Sequence, residues 1–169
     1  MRAVVAGLLM GLAASSALAA DDGFLSKLVG DWIGRGTMKT SPEAAPERVY
    51  CRIGNTLTNG GATLTQKGRC SLASTSGSVN GSITALTAGA YSGTLDSLVS
   101  KGPASLEGKG TPNRLDLDAT FIDALTGQPA ESVTTIELLS KGGYRLSTTR
   151  VDPKTGGTYT GSEIVFSLK

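Results

Sequence analysis

Two alternating stretches, residues 47 to 58 and 62 to 73, flank the tripeptide Asn59-Gly60-Gly61, and they constrain the fold of this chain more than any other feature. Apolar and polar residues exchange at period 2, which puts successive side chains on opposite faces of a strand. With Gly60 and Gly61 as a two-residue hairpin loop, Leu57 faces Leu64, Ile53 faces Gly68, Cys51 faces Cys70 and Val49 faces Leu72. All the apolar residues fall on one face, and the chain's two cysteines meet across the strands. Placing Thr40 opposite Glu47 carries the pattern back to residues 31 to 40, across the turn cluster SPEAAP (41 to 46). Met38 then meets Val49, Gly36 meets Cys51, Gly34 meets Ile53 and Trp32 meets Asn55, all on the same face. Gly34 and Gly36 are expected to make room for a disulfide and to let the sheet bend. Trp32, the lone tryptophan, is expected to fold across one end with its indole N–H toward a polar partner such as Asn55.

Short alternating runs recur at 78 to 86, 89 to 96, 104 to 110, 113 to 122, 131 to 139, 143 to 151 and 157 to 168, which makes ten strands with the first three. The loop Ser140-Lys141-Gly142 places Leu138 opposite Tyr144 and Ile136 opposite Leu146, with Gly142 left-handed. In VDPKTGGTY (151 to 159), Pro153 suits the second position of a turn that Gly156 or Gly157 closes. An even number of antiparallel strands lets the first and last pair and removes both edges. The predicted fold is all-β: an antiparallel up-and-down barrel of about ten strands, led by a short helical turn in GFLSKLVG (23 to 30).

The opening segment MRAVVAGLLMGLAASSALAA carries one early cation, Arg2, then an apolar stretch and a small-residue ending. That pattern predicts a Sec-type signal peptide over 1–20, cleaved near Ala19 or Ala20, and a periplasmic or secreted protein. No cysteine stands there to be acylated. Residues 21–169 are then one barrel domain with no membrane anchor. Once Arg2 leaves, fifteen basic residues face fourteen acidic ones with the signs interspersed along the chain. No nucleic acid or acidic lipid partner is expected, and a monomer is.

The helical turn followed by GDWIGRG (30 to 36), a G-x-W-x-G-x-G pattern opening a meander, resembles the lipocalin and fatty-acid-binding (calycin) superfamily, nearest to its nitrobindin-like branch. The chain also resembles small exported proteins of Gram-negative bacteria that carry a Cys pair in this position. The superfamily resemblance implies a barrel with an internal cavity for an apolar or planar ligand, and structural roles for Gly30, Trp32, Gly34 and Gly36. Nitrobindin-like proteins hold haem through a histidine, and this chain has none. Lipocalins often set an Arg from a late strand against the Trp, for which Arg145 and Arg150 are the candidates.

With no histidine, Ser-His-Asp and Cys-His catalysis and the commonest zinc ligand are missing, so no enzyme activity, metal or cofactor is expected. Lys154-Thr155-Gly156 resembles one element of penicillin-interacting enzymes, but no Ser-x-x-Lys accompanies it, and it reads as a turn. Asp116 and Asp118 alternate with Leu115 and Leu117, which places them on the solvated face. Cys51 and Cys70 are expected to form a stabilising disulfide. Candidate cavity-lining residues for a small apolar ligand are Trp32, Met38, Val49, Ile53, Leu57, Leu64, Ile136, Leu138, Tyr144 and Leu146. Two alternatives stay open. One is an interaction module such as a protease inhibitor, using the arm DDGFLSK (21 to 27) or the loop SPEAAPER (41 to 48). The other is a small outer-membrane barrel, against which stand the few aromatics and the C-terminal Lys169.

Overall fold

The structure is a computed structural model that describes residues 23–87 and 89–169; the segment 1–20, expected to be a signal peptide, lies outside the described residues. A 3-10 turn, Leu25–Leu28, leads into ten strands: β1 (Gly30–Met38), β2 (Glu47–Thr58), β3 (Thr63–Ser71), β4 (Ser76–Thr87), β5 (Ala90–Asp96), β6 (Ala104–Thr111), β7 (Arg114–Ile122), β8 (Pro129–Leu138), β9 (Tyr144–Val151) and β10 (Thr158–Leu168), with a second short 3-10 turn, Asn59–Gly61, between β2 and β3. Each pairs antiparallel with its sequence neighbours, and β1 pairs with β10, so the sheet closes. The predicted architecture, strand count and helical turn are those observed.

The β2–β3 hairpin has the predicted register, with Leu57 opposite Leu64, Ile53 opposite Gly68 and Cys51 opposite Cys70. Its loop differs: Thr58 pairs with Thr63, so the connection is residues 59–62 rather than Gly60 and Gly61 alone. Both loops share one centre, which is why the register survives. The ladder ends at Tyr50–Ser71, one pair short of Val49–Leu72, because the Leu72 N–H turns to the Thr75 carbonyl. Leu138 faces Tyr144 and Ile136 faces Leu146, with Gly142 at φ 86°.

The first hairpin is a correction. Gly36 lies opposite Val49, Gly34 opposite Cys51, Trp32 opposite Ile53 and Gly30 opposite Asn55, a slip of two residues from the predicted pairs. The strands separate at Met38–Glu47, and the Lys39 N–H bonds to the Gly161 carbonyl, so β1 leaves β2 early and stays with β10. A slip of two keeps each side chain on its face, so the inward set is the predicted one. The two glycines serve the β10 seam rather than the disulfide. A methyl group at Gly34 would sit 2.5 Å from the Phe166 ring, and one at Gly36 would collide with the Glu163 carbonyl.

Inside the wall lies one apolar cluster, including Val49, Ile53, Leu64, Val79, Leu106, Leu115, Leu117, Ile164 and Phe166. Outside, exposed arginines and lysines stand on β1–β3 (Arg35, Arg48, Arg52, Lys67, Arg69), and exposed acids on β6–β8 (Glu107, Asp118, Glu131). A membrane-spanning barrel has the reverse arrangement, apolar without and polar within. Asp116 is on this outer wall as predicted, bound to Arg114 at 2.8 Å and accepting from the Thr135 hydroxyl at 2.6 Å.

Candidate ligand cavity

One end of the barrel is capped by the turn Leu25–Leu28, which seals it with Phe24, Leu25 and Leu28, each at most 2% exposed. The capping carbonyl is Leu28 O: the Trp32 indole N–H donates to it at 2.8 Å and the Asn55 amide at 2.9 Å. Trp32 therefore closes the end as predicted, but its partner is Leu28 and not Asn55; the two side chains share one acceptor. The slipped register explains this, since Asn55 lies opposite Gly30. Gln66 donates to Asn55 Oδ1 at 3.3 Å, fixing the amide. Tyr144 meets Trp32 edge-on at 5.0 Å and stacks on Phe166 at 4.6 Å. Neither late-strand arginine reaches Trp32. Arg145 is on the outer wall between Glu137 and Glu163, at 3.7 and 3.6 Å, and Arg150 is at the opposite end of β9.

At that opposite end, the mouth, the β5–β6 loop is tied to the β7–β8 loop by a Ser100–Asp123 bridge. The Lys101 N–H donates to the Ile122 carbonyl and the Ala124 N–H to the Val99 carbonyl. Asp123 organises the region with both oxygens. Its Oδ1 accepts from the Leu125 and Thr126 N–H groups, both at 2.9 Å, and from the Thr126 hydroxyl. Its Oδ2 takes the Arg150 guanidinium, which also lies over the Phe121 ring at 5.4 Å. Burial raises the Asp123 pKa, but Arg150 and the loop N–H groups outweigh it and hold the carboxyl below the usual range.

Between cap and mouth the barrel is not packed solid. A 140 Å³ chamber below the mouth is lined by Met38, Ile53, Val79, Ala119, Ile164 and the Cys51–Cys70 disulfide, among others. A 60 Å³ chamber above the cap is walled by Leu28, Asn55, Leu64, Leu117, Ile136 and Tyr144. Gln66, Leu95, Leu106, Thr134 and Leu146 line both, forming a waist between them. Beyond the mouth, an outer groove of 620 Å³ runs between the β1–β2, β7–β8 and β9–β10 loops, and Phe121 and Arg150 line it as well as the larger chamber. Arg150 and its Asp123 partner are thus part of the partition between lumen and groove.

Of the predicted lining residues, Met38, Ile53, Leu64, Ile136, Tyr144 and Leu146 line the chambers. Trp32 and Val49 are buried in the packed core, and Leu57 and Leu138 are partly buried against it; none of these four lines a chamber. Sequence reasoning missed the polar belt of Gln66, Ser132, Thr134, Thr148 and Ser162. Small hydroxyls at inward strand positions read as breaks in the apolar alternation, although their period-2 spacing on β8 and β9 marked them as inward. The arm expected to be available as an inhibitory plug is, from residue 23 onward, the barrel's own cap. Lys154-Thr155-Gly156 is a turn around Asp152, which accepts from the Lys154 N–H at 2.9 Å and the Thr155 hydroxyl at 2.6 Å.

A closed ten-stranded antiparallel barrel, capped by an N-terminal turn and hollow within, is a lipocalin-like barrel. Among solved structures, the S-type phycobiliprotein lyase CPES from Guillardia theta is similar, with a TM-score of 0.65 and 12% sequence identity over 88% of this chain and 92% of that one. At that identity the likeness is one of fold. No protein-family model matches the chain, and no curated protein matches it.

Proposed function

We propose that the protein is an exported binding module, not an enzyme, that encloses one small and mostly apolar molecule. The observation that carries this is the pair of adjoining chambers left open in a barrel sealed at its base by the 3-10 turn. Natural cores pack with few voids larger than a water molecule, so a hollow lined by Leu, Ile, Val and Phe is a binding feature before it is a structural one. Size narrows the ligand. An apolar cavity of about 150 Å³ accepts benzene, so the 140 Å³ chamber suits a molecule of one ring or a few branched carbons. A porphyrin or long acyl chain would need the mouth loops to move. The lumen is also ill-suited to hydrolysis: of the charged residues that line the larger chamber, Arg150 is committed to Asp123 and the Lys39 ammonium donates to the Pro42 carbonyl.

Export is supported by the leader-like segment 1–20 and by the disulfide, which persists in oxidising compartments. Native mass spectrometry of protein isolated from the periplasmic fraction tests both parts. The expected spectrum shows a chain beginning at Ala20 or Asp21 with a retained small molecule. A full-length chain in the cytoplasmic fraction would defeat export. A chain that is empty and takes up no single-ring compound at millimolar concentration would defeat binding.

A further inference from the structure

We infer that the enclosed ligand is uncharged and carries a hydrogen-bond acceptor, such as a carbonyl, which it presents toward the capped end to the Tyr144 hydroxyl. This rests on the enclosed-ligand function proposed above and adds the ligand's chemical class and orientation. Tyr144 is 2% exposed, lines the small chamber, and is held by Trp32 on one side and Phe166 on another. Its hydroxyl makes no hydrogen bond to any described residue. Phenylalanine would fill the same aromatic slot without a stranded polar group, and burying a polar group with no partner is unfavourable.

The nearest polar neighbour of the Tyr144 hydroxyl is engaged elsewhere. The Asn55 amide donates to Leu28 O, and its oxygen already takes Gln66. Burial, eased in part by the nearby Asn55 side chain, pushes the phenol pKa far up, so Tyr144 is a neutral donor throughout the working range. Asn55 lies close enough to ease that shift but makes no hydrogen bond of ordinary geometry to the hydroxyl. Among the described residues, the small chamber is lined by neither a cation nor a carboxylate, which disfavours a charged head group there. The waist at Gln66, Leu95, Leu106, Thr134 and Leu146 connects the donor to the 140 Å³ chamber, where the apolar body would lie.

The experiment compares acetophenone with α-methylstyrene, in which C=CH2 replaces C=O at nearly constant shape, on the full chain and on Tyr144→Phe. The ketone-to-alkene affinity ratio should fall about tenfold in the variant, the ordinary worth of one buried hydrogen bond. The carbonyl stretch of bound acetophenone should lie at lower wavenumber in the wild type than in cyclohexane, a readout that needs no variant. An unchanged ratio, an unshifted carbonyl, or binding of the alkene alone overturns the inference while leaving the enclosed-ligand function standing. Failure of both probes to bind the wild type sinks both.

Discussion

Arg150 illustrates how little a strand position says about a buried charge. Its inward orientation follows from alternation on β9, yet its partner Asp123 comes from a loop held by its own Asx geometry, and nothing in the local pattern joins residues 27 positions apart. The sequence offered Arg150 to Trp32, at the wrong end of the barrel. Replacing Asp123 by Asn keeps an oxygen for the Leu125 and Thr126 N–H groups but leaves the guanidinium unpaired, and should cost about 3 kcal/mol near neutral pH. Because the folded Asp123 pKa lies below its unfolded value, this stabilisation is complete above roughly pH 5 and is lost as the pH falls below about 4. Urea melts of wild type and Asp123→Asn should therefore converge on going from pH 7 to pH 3. A gap that stays constant would show that the charge on Asp123 is not what holds the mouth.

At the scale of elements, the strands were legible because alternation is a local signal, and most hairpins because short loops fix register. The eight-residue connection 39–46 fixes nothing by length, so the β1–β2 register was set by a partner remote in sequence. That partner is β10, through Phe166 packed over Gly34 and the Glu163 backbone pressed against Gly36. Gly34→Ala should cost about 1 to 3 kcal/mol by crowding a ring already stacked on Tyr144. Gly36→Ala should cost more, since backbone yields less readily than a ring. Arg35→Ala, exposed between them, should stay within about 0.5 kcal/mol. Thermal melts of the three variants order the effects; a silent Gly36→Ala would place the β1–β10 seam elsewhere.

For the whole molecule, fold class, strand count, closure and disulfide could be read from the chain because each follows from pattern or pairing. The cavity could not, since a void is a difference between the room a barrel encloses and the side chains that fill it, and four of ten named liners stand outside the chambers. The disulfide joins β2 and β3, which the ladder already pairs, so it stabilises chiefly by restricting the unfolded chain. Replacing both cysteines by serine should lower stability by about 2 to 4 kcal/mol and leave the far-ultraviolet dichroism spectrum unchanged. A lost β signal at room temperature would mean that the bridge holds the native sheet itself together.

Closure of the ring by β1 and β10 has a kinetic consequence. Nine of the ten ladders join strands adjacent along the chain and can zip hairpin by hairpin, whereas the tenth must bring together segments from opposite ends of the domain. Until that seam forms, the nascent sheet carries two raw edges, and a second nascent chain offers the same edges at the same moment. The glycines that let β10 settle on β1 thus also let those two edges cover each other, which removes the template on which two copies could pair.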